Sequence, residues 1–491
     1  MCGSETVSSI YFHFQEQDVL LPKFKTRISV NVPVYVKTNK ATYTIDQAPC
    51  AKDIVLSTSD KAIMTIKKDG KNAVISGVSA GTVTASAAIK NQDLTATMKV
   101  HVLNPDKLKG NLAKLNTTTN KYSHLYKVPY KLKRTGRVSQ GFDYYNSKYF
   151  FFTQLTDKGN FINHNKYEYD RKAIIVIPVN QDDSSFAGNV MTLYKAGHGQ
   201  NLTIERTDNK SYIWLGNYGS FKPDKSNDGA IYKEGYSYSQ TLCRVEWQPG
   251  KKFYPNEITE HYFLPALSSS KRFFGLEAAL DQKNNRIAVR AKNDDGKTYI
   301  KIYNFKNFKK IEQNTTVTLP YPISETEGDS KKFVENQHPK IKVKDLSKLE
   351  PINQFSASGF PVQGVEIENG LLYAITGLPE ALAKPDGKHT YKSKITLKVF
   401  TYGGKEIATY YLQTSTENGG YLKSSELDNM VNFKEDGISY YSNGYYEPEG
   451  IRVSNGKVYI NMTVKFDYDN KDTGKTATAA RQFIFVYNLA V

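Results

Sequence analysis

The stretch "PVQGVEIENGLLYAI" at 361–375 returns about ninety residues later as "EPEGIRVSNGKVYIN" at 447–461. Each copy has a polar residue, a glycine, an apolar/polar alternation, a turn with Asn and Gly, and a second β-rich run. Period-two alternation marks a strand with one buried face, and Asn-Gly between two such runs marks a hairpin. A chain that repeats this unit builds one supersecondary element several times over. Three more copies follow the pattern: "SQGFDYYNSKYFFFTQ" from 139, "QNLTIERTDNKSYIWLG" from 200 and "FFGLEAALDQKNNRIAVRA" from 273. Their polar leading residues are Gln140, Asn201, Glu277, Gln363 and Glu449, spaced 61, 76, 86 and 86 residues apart.

Between copies lie further strand-like runs, such as "RKAIIVIPV", "TLCRVEWQP", "YIKIYNF", "ITLKVFTYGG" and "RQFIFVYNLA". One copy plus its outer runs makes a four-stranded blade. Five in succession predict a five-bladed β-propeller over 122–491, because radial repetition leaves few exposed edges. The spacing exceeds a compact blade of roughly 40–45 residues, so long loops are expected on one face. A two-sheet sandwich and a seven-bladed propeller are the alternatives. In a propeller the five leading residues ring one mouth of the channel. There they either contact a ligand or bond backbone amides between neighbouring blades, and the sequence leaves both readings open.

Ahead of this region, residues 1–22 read as an arm, 23–103 as a β-sandwich and 104–121 as a basic linker. The 23–103 block consists of short alternating runs, "RISVNVPVYVKT", "DIVLSTSD", "AIMTIKKDGKNAVISGV", "GTVTASAAI" and "LTATMKVHV". Within it, Ser59-Asp60, the strand Ile63 to Ile66, the Asp69-Gly70 turn and the Gly77 to Gly81-Thr82 step resemble the bacterial immunoglobulin-like group 2 domain. That resemblance implies an Ig-like sandwich, and a surface spacer in an extracellular bacterial setting. The expected fold class is therefore all-β, an Ig-like sandwich followed by the propeller. The 35 Tyr and 24 Phe of the 491-residue chain fit that class, since aromatics favour strands.

The formal charge is +17 with a pI of about 9.3, which suits a polyanionic partner. Nine of the basic residues fall between Asn104 and Arg137, against Asp106 alone. No recognition-helix pattern accompanies them, so nucleic acid is not the expected partner. No apolar run approaches the ~18 residues that cross a bilayer. Three cysteines, Cys2, Cys50 and Cys243, make neither a disulfide framework nor a metal-ligand pattern. "MCGSE" matches the start of a mature bacterial lipoprotein, leaving a lipid anchor through Cys2 and a plain start equally open.

The chemistry-bearing residues are few. Glycosidases need paired carboxyl groups about 5–9.5 Å apart, and Glu277, Glu366, Glu447 and Glu449 are the candidates. Gln and Asn at three of the five leading positions weigh against hydrolysis. His198 stands between two glycines, where it is either a ligand contact or a bystander. "DYDNKDTG" at 467–474 lacks an acidic twelfth residue and reads as a hairpin tip rather than a calcium loop. In the Tyr-rich stretches "GYSYSQ" and "YYSNGYYEPEG", read as loops, most rings are expected to face the core or pack the loop, and the remainder offer faces that stack on sugars. No cofactor, metal or catalytic residue is expected. The candidate ligand contacts are Gln140, His198, Asn201, Glu277, Gln363 and Glu449.

The ordered copies also resemble the helveticin J family of large bacteriocins. The resemblance rests on Gly197-His198 ahead of Glu205, Glu277-Ala278-Ala279 ahead of Asp281, Gln363-Gly364-Val365-Glu366, and Glu447-Pro448-Glu449-Gly450-Ile451. It spans roughly 122–491 and implies a secreted or surface-associated antibacterial protein, without supplying a catalytic residue. The front sandwich departs from the family's type member. The expected partner is a cell-wall glycopolymer such as teichoic acid. A non-lethal adhesin or carbohydrate-binding protein is the alternative, and a propeller glycosidase the second alternative.

Overall fold

The computed structural model describes residues 4–13, 16–20, 29–90, 92–103, 124–127, 138–144, 149–155, 162–164, 167–169, 173–180, 187–194, 196–219, 239–265, 273–293, 297–319, 340–357, 363–383, 389–411, 431–435, 437–454, 457–470 and 473–488. The chain is all-β, built from many sheets. Phe305–Lys310 is a short α-helix, started by Asn304, whose Oδ1 accepts from the Asn307 amide at 3.1 Å. No described helix is long and apolar enough to cross a membrane.

The front unit is two sheets on one core. The first orders Val7–Phe12, Ser29–Thr38, Asn72–Gly77 and Met64–Asp69, with Thr42–Thr44 beside the second of these. The second orders Glu16–Leu20, Thr95–Leu103, Gly81–Ile89 and Ile54–Thr58. Alternation does the sorting. Val32, Val34 and Val36 point inward from one sheet, and Val83, Ala85, Ala87 and Ile89 from the other. The Ser59-Asp60 step closes the intervening turn, where Asp60 Oδ1 accepts from the Ala62 amide at 2.7 Å and Ser59 Oγ from the Thr84 amide at 3.1 Å. Residues 1–22, expected to be an arm, instead contribute two strands. Val7–Phe12 pairs with Ser29–Thr38 and buries Ile10 and Phe12 in the shared core, while Glu16–Leu20 runs parallel to Thr95–Leu103. Short strands so close to the chain start carry little periodicity, which is why the sequence did not show them. Cys50 is disulfide-bonded and Cys243 is free and buried. Cys2, the candidate lipid anchor, lies outside the described residues.

Because both strands from the first twenty residues complete this core, a fragment of 1–103 is expected to give a β-type circular dichroism spectrum with a cooperative melt. A fragment of 23–103 is expected to melt lower. Equal melting of the two would contradict the placement of the early strands.

Beyond the front unit the described residues form five larger sheets, each built on one of the five copies, and a small hairpin of Ile162–His164 with Tyr167–Tyr169. The strands pair antiparallel except at two outer positions, where Met191–Tyr194 runs parallel to Lys252–Phe253 and Glu260–Phe263 parallel to Lys340–Asp345. The first strands of the five larger sheets are Ser139–Tyr144, Thr203–Arg206, Phe273–Asp281, Gly364–Glu368 and Ile438–Ser454. Each first strand pairs with the strand that returns from its turn, as in Glu368 opposite Leu371 and Asp281 opposite Arg286. These first strands neighbour one another in chain order, and the fifth also lies against the first. The last sheet takes its outermost strand from the other end of this region: His124–Lys127 pairs with Lys475–Asn488, setting His124 opposite Val486 and Lys127 opposite Phe483. Most of the basic 104–137 stretch lies outside the described residues.

The repeated glycine marks where first strands touch. A Cβ on Gly364 would sit 3.0 Å from Gly450 Cα, and one on Gly141 would sit 2.8 Å from the Gly199 carbonyl oxygen. Both obstructions are backbone, which cannot swing aside. The first, fourth and fifth copies share a glycine after the leading residue because the neighbouring backbone leaves no room for a side chain.

Candidate functional site: the mouth and centre of the sheet ring

Gln140, Gln363 and Glu449 each precede one of three glycines in close approach, Gly364 with Gly450 and Gly450 with Gly141. Gln140 and Glu449 both sit at β-bulges, between Ser139 and Gly141 and between Pro448 and Gly450. Bulges re-aim a side chain and are common beside functional sites. Gln140 is buried, and its Oε1 has no hydrogen-bond partner. Gln363 belongs to a side-chain chain that crosses three sheets. Gln200 Nε2 donates to Gln363 Oε1 at 3.3 Å, and Gln363 Nε2 donates to Glu447 Oε1 at 3.3 Å. The Tyr445 hydroxyl donates to Glu447 Oε2. The Tyr391 ring meets Tyr445 edge-on at 4.9 Å, and Lys465 Nζ lies 3.7 Å from the centre of the Tyr445 ring. All six of these residues are partly exposed.

Glu449 is buried next to this group. Desolvation pushes its carboxyl well above the usual range, and the charge of Glu447 adds to the push, against a hydrogen bond from Thr463. The site thus pairs a carboxyl whose pKa burial raises with a neighbouring carboxyl that accepts from a phenol and an amide.

The other candidates are committed elsewhere. Asn201, at φ +56°, donates from Nδ2 to the Ala278 carbonyl at 2.6 Å and accepts at Oδ1 from the Val365 amide at 2.8 Å. It ties the third and fourth sheets together, as the backbone-bonding alternative supposed. Glu277 faces Arg290 of its own sheet, with Nε 3.3 Å from Oε2, and burial raises its carboxyl pKa. His198 is half-buried in the Gly197–Gly199 turn.

Deeper in the ring, all five sheets meet at Arg452. Its Nε lies 3.1 Å from Asp143 Oδ1, and its Nη1 lies 2.6 Å from Glu366 Oε2 and 3.5 Å from the Leu280 carbonyl. Asp143 Oδ2 accepts in turn from the Ile204 amide at 2.7 Å. Asp143, Ile204, Leu280, Glu366 and Arg452 come from sheets one to five in order. Asp143 and Arg452 were missed in the sequence, although a signal was there. Asp143, Glu366 and Arg452 each stand two residues after the glycine of their copy, so one position carries two acids and one base.

Two carboxyls share one guanidinium here. Burial therefore outweighs Arg452 and pushes Glu366 up to about 8, with Asp143 adding to the rise. A carboxyl whose folded value lies above its ordinary 4.5 binds a proton in the fold that the unfolded chain releases. Its contribution to stability therefore falls as pH rises from about 4.5 to about 8, by at most ~1.4 kcal/mol per pH unit. Buried His261, pushed down to about 4, acts in the opposite sense between 4 and its ordinary 6.5. The clear window is pH 6.5 to 8. There the melting temperature is expected to fall in the native protein and to fall less in Glu366→Gln. An unchanged slope in the variant would remove Glu366 as the source.

No family model matches the chain, and no curated protein matches it. Among solved structures it aligns with an α-L-arabinofuranosidase from Clostridium thermocellum at 12% identity, over 70% of this chain and 92% of that one, with a TM-score of 0.22. It also aligns with a quinonprotein alcohol dehydrogenase-like protein from Bacteroides thetaiotaomicron at 9% identity, over 97% of this chain and 96% of that one, with a TM-score of 0.17. At these scores neither alignment assigns a function.

Proposed function

We propose that the chain is a saccharide-binding protein whose five sheets form a five-bladed β-propeller and whose mouth engages the glycopolymers of a bacterial envelope. The observation that carries this reading is the amide–carboxyl–phenol chain Gln200–Gln363–Glu447–Tyr445 beside the Tyr391 ring. Planar amides and carboxyls match sugar hydroxyls as donors and acceptors, and tyrosine rings offer apolar faces with a polar tip. Two carboxyl groups at the mouth favour neutral sugar over phosphate there, so the anionic part of a wall polymer is read by some other basic surface. The resemblance to helveticin J extends the reading to a secreted protein that inhibits the bacteria it binds.

A panel of purified walls, intact and stripped of anionic polymer, tests the binding. Retained binding to stripped walls at raised salt is expected of the mouth, and binding confined to intact walls at low salt would refute it. A growth-inhibition spot test against related bacteria separates a killing protein from an adhesin. The Glu447 and Glu449 pair supports a second reading, hydrolysis, since a carboxyl with a raised pKa beside a second carboxyl is the arrangement of acid and base in glycosidases. Sugar release from walls that disappears in Glu449→Gln would establish it.

A further inference from the structure

A second site lies at the opposite end of the ring. The first-strand hairpin turns, which contain Asn285 and Asn369, emerge at that end, and the front sandwich packs there. His13 Nε2 of the sandwich unit lies 3.0 Å from Glu350 Oε1 of the ring. Between the two units is a cleft of about 670 Å³. Thr82, Lys99 and His101 line it from the sandwich, and Arg286, Asn369 and Tyr402 from the ring. None of the described residues lining it is acidic. Arg286 and Tyr402 are buried in its wall, and Arg286 Nη1 donates to the Asn284 and Asn285 carbonyls at 3.1 Å, which fixes the guanidinium in place. Lys99 is exposed at the cleft edge, and His101 Nδ1 lies 3.1 Å from Thr82 Oγ1.

We propose that this cleft binds an anionic sugar, a hexose-sized unit carrying one phosphate or carboxylate. The volume falls within the roughly 300–1,000 Å³ of small-molecule sites, which favour domain interfaces. Lysine, histidine and a held arginine converging on one cleft suit an anion, and charge-assisted hydrogen bonds are the strong kind. Asparagine amides and the Tyr402 ring supply what a sugar needs beyond its charge. This site is separate from the mouth, so the two tests can fail independently.

Calorimetric titration of the full chain with glucose 6-phosphate, glucuronic acid, glucose and inorganic phosphate tests the proposal. Glucose 6-phosphate or glucuronic acid is expected to bind, whichever of the two supplies the matching anion, and glucose is not. Lys99→Gln, an exposed change, is expected to weaken binding about tenfold, and Lys99→Gln with His101→Gln to abolish it. Arg286→Lys, which keeps the charge but loses the fork, is expected to weaken it with little change in melting temperature. Gln363→Ala at the mouth is expected to leave it unchanged. Binding by neither anionic sugar, equal binding of glucose or of inorganic phosphate, or undiminished binding in the Lys99 and His101 variants would overturn the proposal.

Discussion

Arg452→Met is expected to destabilise the ring by about 3–5 kcal/mol, because it leaves the Asp143 and Glu366 carboxyls buried without their cation. Both tryptophans, Trp214 and Trp247, lie in the ring, so tryptophan fluorescence during denaturant unfolding reports on it without signal from the front sandwich. The triple change Arg452→Met, Asp143→Leu, Glu366→Leu is expected to recover part of the loss, since it removes the stranded charges as well. A single Arg452→Met variant that unfolds at the native midpoint would show that the five sheets do not depend on this centre.

Gly364→Val is expected to cost about 3 kcal/mol or more, which would reduce soluble expression as well as the unfolding midpoint. The added Cβ meets the Gly450 backbone at 3.0 Å, and two branches further on have nowhere to go. Two first strands would have to separate next to Gln363 and Glu449. Gly188→Ala is the control, because a Cβ there meets nothing within 4 Å. Equal stability of the two variants would contradict the close approach of the fourth and fifth sheets.

The fold was legible where the chain repeats itself. Each of the five copies opens a sheet, because alternation and turn residues act locally and leave a local record. The early strands and the strand His124–Lys127 left no such record. They are short, and their partners stand far away in sequence, as with His124 opposite Val486. The site was legible only in part. Gln140, Gln363 and Glu449 share an offset from a glycine, and those three glycines approach one another closely. Asn201 shares the copy but not the role, since its positive φ turns both ends of its amide toward neighbouring backbones, and the adjacent Gln200 reaches the mouth instead. One residue of displacement in a turn decides which side chain faces a ligand, and sequence spacing does not resolve that. The charged centre at Asp143, Glu366 and Arg452 needed the copies to be compared with one another, because an acid or base on one strand says nothing about a partner on another sheet.

Binding of purified walls stripped of anionic polymer tests the mouth as a sugar-binding surface most directly. The variant Gln363→Ala with Glu447→Ala removes the middle of the Gln200–Tyr445 chain from partly exposed positions. The predicted result is loss of wall binding by tenfold or more, about 1.4 kcal/mol or above, with the melting temperature within a few degrees of the native protein. Native-strength wall binding by the same folded variant would contradict the account.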